Sequence, residues 1–334
     1  MPKEVAHWTF AKKALDCLKS ESPLRRLIDE HKFLYYTAAL APDSPYYYTS
    51  GYRWKAYRLV GSRIHNSKDS YQVLRNLLGA YRDRNYPAVW VFLAGVLSHF
   101  MCDAVFHPFV IHFSGDSADK KGRVYIDTIY RHSTIETMMD MYYWDEEPLP
   151  GGRFFRDYVS QVELPFGEFA ELLKILYARG QSLDNRIIMN YMNKHSRTQA
   201  MFQKKWPHVM LRSLDLATGR SLRHFMALFY PLKHPKPSEL FRYPVAFRHP
   251  LTGERQVSSI RELEKEAVDS TVEWFRKIDA FWDTPDLWTI FDHEIGPNLK
   301  TGVPDSIGED MRFFNTEVSV WNIIKQPAGP FNYI

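Results

Sequence analysis

Apolar residues recur at three- and four-residue spacing through most of the first 230 positions, which is the period of a helix with one buried face. The pattern predicts helices over about 4–19, 23–41, 67–84, 86–107, 122–143, 166–180, 183–204 and 207–229. Pro23 and Pro87 suit first helical turns, and Pro108 disfavours helix beyond His107. Turn formers fill "APDSPYYYTSGYRW" (41–54) and "FSGDSADKKGR" (113–123). The pattern breaks at "YPLKHPKPSEL" (230–240), where three prolines make a linker or a wrapped loop. After it, "HPLTGE" reads as the turn of a short hairpin, and 259–282 as a helix opening on a capping box of Ser259 and Glu262. The expected architecture is all-α, with a helical domain over 1–230 and a C-terminal extension of linker, hairpin and helix over 231–334 packed on it.

One helix carries an anomaly. "FLAGVLSHFMCDAVFHPFVIHF" (92–113) has the composition of a core helix, yet it holds His99, Asp103 and His107. Four residues advance an α-helix by about 400°, so these three form a column on one face. The next helix repeats the device in "YRHSTIETMMD", with His132 and Glu136 at i, i+4 and Asp140 one turn further. Imidazole and carboxylate at that spacing can chelate one ion; a column of three is too long for one ion and suits two. Two such helices joined by a short connection can pack antiparallel with those faces opposed. His7, Asp43 and His65 are further candidates upstream. Burying such groups without partners is costly, which leaves two readings, a metal cluster or a structural hydrogen-bond network. The remaining histidines read as surface or capped residues.

Composition narrows the classes. Hydrophobic residues are 45% and charged residues 25%, as in an ordinary globular protein. A net charge of +4 is too mild to argue for specific nucleic-acid binding. The two cysteines, Cys17 and Cys102, form no CxxC pair, which excludes thiolate zinc fingers and redox dithiols. The amino terminus lacks a basic-then-apolar leader pattern, and no run of 18 uncharged apolar residues occurs, so the expectation is a cytoplasmic protein without a membrane span. Aromatics reach 15%, and Tyr46, Tyr47, Tyr48, Tyr52 and Trp54 crowd behind Asp43. Such rings can hold a quaternary ammonium, stack on a base, or simply pack the loop.

The words "VAHWTFAKKAL", "LAPDSPYYY", "FLAGVLSHFMCDAVFHPFV" and "RHSTIETMMD" together resemble the zinc-dependent phospholipase C family over about residues 1–145. The resemblance implies an all-helical bundle around two to three zinc ions at the bottom of a cleft, and hydrolysis of a phosphodiester, typically a phospholipid. By position it implies one ion on Asp43, His65, His99 and Asp103, and a second on His107, His132 and Glu136 with a coordination position left open. A third would use His7 and the other oxygen of Asp103. In secreted members an exposed amino-terminal residue completes the third site; here the nearest such group is the amine of Pro2. Asp43 is also the candidate to accept a proton from the attacking water, and Asp140 would orient a ligand from behind. Tyr46, Tyr48 and Trp54 are the aromatic candidates for substrate contact. The implied partner is a phospholipid or other phosphodiester, with peripheral membrane contact. Single-strand-specific zinc nucleases share the fold, so a nuclease or a small phosphoester hydrolase stays open. A non-catalytic, metal-stabilised helical scaffold or lipid-binding module is the third reading.

Overall fold

The structure, a computed structural model, describes residues 3–315 apart from 52, 85, 116–121, 147, 179–182, 232–240 and 242. The chain forms α1 (Glu4–Asp16), α2 (Pro23–Glu30), α3 (Lys32–Ala38), a 3₁₀ segment (Ala41–Tyr47), α4 (Trp54–His65), α5 (Tyr71–Tyr81) and α6 (Ala88–Ser114). It continues through α7 (Gly122–Tyr143), α8 (Phe155–Val159), α9 (Phe166–Ala178), α10 (Asn185–Phe202), α11 (Lys205–Ala217) and α12 (Arg223–Met226). The antiparallel hairpin β1 (Val245–Arg248) and β2 (Arg255–Ser258) and then α13 (Ile260–Phe281) follow, with short 3₁₀ segments at Arg82–Arg84, Pro285–Thr289 and Gly308–Asp310. The fold is therefore an all-α bundle with one small hairpin.

α6 is the axis of the bundle. It packs against α1, α3, α7 and α13, and nearly every residue from Ala88 to Ser114 is buried. It is long and apolar enough to cross a bilayer, contrary to the count of uncharged residues, but 89% of its most apolar window is covered by the surrounding helices. α13 opens on the expected capping box of Ser259 and Glu262 and lays Ile260, Leu263, Val268, Phe275 and Ile278 into the same core.

Several expected boundaries move. α6 does not stop at His107: it runs through Pro108 to Ser114. Proline leaves the carbonyl four residues earlier, that of Ala104, without its helical partner. The C-terminal chain covers that turn at Gly302, which has φ +72° and where a Cβ would lie 2.4 Å from the Ala104 oxygen. The expected helix 23–41 breaks at His31, whose φ of −120° and ψ of 37° end α2. The expected helix 207–229 breaks after Ala217, where Gly219 and Arg220 both take positive φ. α4 forms inside and beyond a stretch expected to be turn-rich, because its Arg, Lys and Tyr residues mask a buried stripe of Val60, Gly61, Ile64 and His65. Most of the proline-rich linker, Tyr52 and Pro2 lie outside the described residues.

Candidate metal centre

Gly95 stands one turn before His99 on α6. A Cβ there would lie 2.3 Å from the Tyr35 carbonyl oxygen and 2.6 Å from Ala38 Cβ, so glycine permits the close approach of α3. That approach delivers the residue ending α3: the Ala39 carbonyl accepts a hydrogen bond from His99 Nδ1 at 2.8 Å. His65, the last residue of α4, donates Nδ1–H to the Gly61 carbonyl at 2.7 Å. His107 Nδ1 donates to the Leu299 carbonyl. In each ring a protonated Nδ1 leaves Nε2 as a bare lone-pair donor of fixed direction.

Those donors converge with carboxylates. His65 Nε2 and His99 Nε2 are 3.3 Å apart. Asp103 Oδ2 lies 3.1 Å from the first and 3.2 Å from the second. Asp43 Oδ1 is 3.2 Å from His65 Nε2 and 3.8 Å from His99 Nε2. Zinc bonds of about 2.0–2.1 Å in a tetrahedron place neighbouring donors about 3.3 Å apart. Most edges of this set have that length.

A second set joins α6 to α7. His107, His132 and Glu136 bring one donor atom each within 4.8 Å of one another, and His132 Nε2 is 2.7 Å from Glu136 Oε1. Ser114 Oγ sits 3.4 Å from His132 Nδ1. On α1, His7 stacks on His99 with ring centroids 4.2 Å apart. His7 Nε2 is 3.5 Å from Asp103 Oδ1 and 3.9 Å from Asp43 Oδ2. His99 lies within reach of this group too, but its Nδ1 is bonded to Ala39 and its Nε2 faces the first set. His7, Asp43 and Asp103 are then the donors that remain for a third position.

The chemistry of these groups fits an ion cluster. Both ring nitrogens of His7, Asp43 Oδ1 and both oxygens of Asp103 are buried and make no hydrogen bond. Buried polar atoms left that way cost about 1–3 kcal/mol each. Bound cations would supply the missing partners.

Electrostatics prepare most donors. Burial, with His99 alongside, pushes His7 down to about 3 despite Asp103 and Asp43. Burial likewise pushes His107 down to about 3. His132 is lowered by burial and by neighbouring His107 and Lys300. These rings are neutral near pH 7. His65 behaves oppositely: burial opposes its charge, but Asp103 and Asp43 outweigh burial and raise it to about 9. Asp103 stays ionised, because His107, His99 and His65 overcome its desolvation.

Asp140 touches no ligand side chain. Its carboxylate accepts from Val5 N at 3.1 Å and Ala6 N at 2.9 Å, which caps the first turn of α1 just before His7. The Tyr230 hydroxyl lies 2.6 Å from Asp140 Oδ2 and 2.8 Å from Glu4 Oε2. Burial and the Glu4 carboxylate push Asp140 up to about 7. Burial opposes ionisation of Glu4, but its contact with His195 and the Lys3 charge hold it at about 2.

A cavity of about 630 Å³ is lined by Asp43, His65, His107, His132 and Glu136, while His7, His99 and Asp103 are buried and not part of its wall. Tyr46 lines it, 5.2 Å from the His65 ring. Tyr48 and Trp54 do not. Tyr48 is buried edge-on against Tyr57 and Tyr191, and Trp54 packs on the core. Tyr47, from the same aromatic run, lines the cavity too, and so do residues not anticipated from the sequence: Arg58, Phe202 and Lys300. The carbonyls of Ala39, Gly61 and Leu299 were unmarked as well, since a main-chain acceptor has no residue signature. The spacing G-x-x-x-H at Gly95 and His99 was the one available signal for Ala39.

No curated protein and no solved structure gives a significant match to the chain. A match to the family described as zinc dependent phospholipase C covers residues 6–201, well past the motif-bearing first 145. That span takes in more than half the chain and includes His7, Asp43 and His65, both helices of ligand columns and the second set of donors, so the chain belongs to the zinc-dependent phospholipase C family.

Proposed function

We propose that the protein is a zinc-dependent phosphodiesterase of the phospholipase C type, cleaving the bond between phosphorus and the glycerol-side oxygen of a phospholipid. The observation that carries this reading is that the second donor set, with Asp43 and His65 of the first, lines one large cavity. A purely structural ion site has no need of an open chamber. Zinc bound at these sets supplies Lewis acidity, which acidifies water and neutralises phosphoryl charge.

The chain's own groups supply the rest. His65, His99, Asp103 and Asp43 would hold one ion; His107, His132 and Glu136 would hold another; His7 with Asp103 and Asp43 would hold a third. Asp43 is kept ionised against its burial by His99 and His65, so its carboxylate can accept a proton from the attacking water. Lys300 borders the cavity beside His132, where its ammonium can face phosphoryl oxygens. Tyr46, Tyr47, Phe202 and Phe225 give the chamber apolar walls for the glycerol side of the substrate.

A turnover panel tests the reading. Zinc-loaded protein is offered phosphatidylcholine, phospholipids with other head groups, a chromogenic phosphodiester, a phosphomonoester and single-stranded DNA. Release of diacylglycerol at the highest kcat/KM supports a phospholipase C. Preference for DNA or the monoester moves the protein to the nuclease or phosphoester reading. No turnover of any of them, with metal fully bound, leaves a metal-stabilised scaffold.

A further inference from the structure

α11 is folded inside out. Its inward face carries Pro207, His208, Leu211 and Asp215, spaced for one side of a helix. Its outward face carries Trp206, Val209, Met210 and Leu214, which are respectively 66%, 38%, 60% and 50% exposed. Two inward groups make specific contacts. Asp215 Oδ1 accepts from Leu222 N at 2.8 Å, tying down the turn to α12, and His208 packs on Phe229 with centroids 5.7 Å apart. The orientation is thus set by specific contacts, and the apolar stripe is left facing solvent. Met201 just before α11 and Phe225 on α12 extend the patch at 41% and 47% exposure. Isolated exposed apolar residues are ordinary; a contiguous set on one helix marks an interaction surface.

Charge and position select the occupant. Residues 185–230 contain eight Lys and Arg and one acid, the buried Asp215. Four of these cations, Lys204, Lys205, Arg212 and Arg220, lie on α11 or at its two ends. Lys204 and Lys205 are exposed at the start of α11 and Arg220 just past its end. A tryptophan-bearing apolar face flanked by exposed cations is the pattern of a helix lying in a lipid–water interface. The patch also runs into the chamber, because Phe225 is both exposed and part of the cavity wall. A second wall is basic: Arg58 on α4 lines the cavity, and Lys55 on the same helix and Arg53 at its N-cap are exposed.

We infer that the outward face of α11, with Met201 and Phe225, is a docking surface for an anionic phospholipid membrane, and that it sets the mouth of the cavity against the lipid surface. The inference rests on the phospholipase reading for its purpose, but binding is measurable without turnover. The probe is flotation of the intact 334-residue chain with vesicles of phosphatidylcholine alone or with about 30% phosphatidylglycerol. The comparison variant is Trp206→Ser/Met210→Ser/Leu214→Ser, scored also by circular dichroism and by hydrolysis of a soluble chromogenic phosphodiester.

The expected result is that wild-type protein floats with the anionic vesicles, less so at high salt, and that the triple variant loses at least tenfold of this partition. Its helical content and its rate on the soluble substrate should match wild type. Equal flotation of variant and wild type, or no flotation of wild type, overturns the inference. So does a lipid-free dimer that the triple substitution abolishes, since the face would then serve a second copy. Binding seen only after removal of residues 316–334 would assign the face to that segment and overturn it too. Absence of turnover with vesicle binding intact counts against the phospholipase reading alone.

Discussion

His65 Nε2 and His99 Nε2 face each other across 3.3 Å, with Asp103 Oδ2 within 3.2 Å of both. Each ring is aimed by a main-chain carbonyl behind it, so two lone pairs point at the same space. Such an arrangement needs a proton or a cation between the rings. Purified protein is therefore expected to hold at least two zinc ions per chain by elemental analysis. Removing them with a strong chelator should lower the melting temperature, and zinc should restore it. Protein that holds no metal, and takes none up, contradicts the assignment.

Metal loading should release a proton near neutral pH. In the metal-free protein His65 is raised to about 9 by Asp103 and Asp43 acting against burial, so it is protonated at pH 7. Zinc must displace that proton to reach Nε2. Calorimetric titrations of zinc into apoprotein, in buffers of different ionisation enthalpy, should differ in heat by about one proton's worth. Identical heats in all buffers would mean His65 is not a ligand.

Acid should unfold the metal-free protein early. His7 and His107 are pushed by burial to about 3, against an ordinary value of 6.5. Below pH 6.5 the unfolded chain takes up protons that the folded chain refuses, so stability falls as pH drops from 6.5 towards 3. His65 works in the opposite sense: its contribution is full below 6.5 and is lost as pH rises through about 9. Urea denaturation of apoprotein between pH 4 and 7 should show the midpoint rising with pH, and His7→Gln should flatten that slope.

Asp103 and Asp140 should fail differently. Asp103→Asn removes a carboxylate shared among three histidines and should cost metal outright. Asp140→Asn loosens the cap on α1, at about 1–3 kcal/mol or a melting shift of a few degrees, and should leave most of the metal bound. Melting curves and metal content on the same preparations separate the two. Equal metal loss would make Asp140 a ligand.

Lys300→Gln should raise the KM for the phosphodiester and weaken competitive inhibition by inorganic phosphate, by about tenfold in each case, with metal content unchanged. An unaltered phosphate inhibition constant would take Lys300 out of the substrate contacts.

The ligand columns of α6 and α7 are legible in the chain because helical spacing and ligand spacing coincide at four residues. Asp140 looks like a continuation of that column, and only the packing of α1 shows that it serves the backbone of Val5 and Ala6. Tyr48 and Trp54 belong to the same aromatic run after Asp43 as Tyr46, yet the turn at Arg53, with φ 53°, carries Trp54 onto the start of α4 and away from the chamber. Pro108 is a genuine break signal that tertiary contacts override. α11 shows a different limit. Periodicity reveals two faces, 206/210/214 and 207/211/215, and hydrophobicity picks the wrong one as buried because the contacts of His208 and Asp215 are non-local.

The hydrogen bond from His107 to the Leu299 carbonyl joins residues 192 positions apart. A ribosome making this protein finishes both ligand helices long before it reaches Leu299. Until then the nascent chain can present His107 only as an unaimed ring, and the second ion would meet a half-built socket. Because that carbonyl follows both ligand helices so late in the chain, the aiming of His107, and with it a finished second socket, waits until synthesis has passed Leu299.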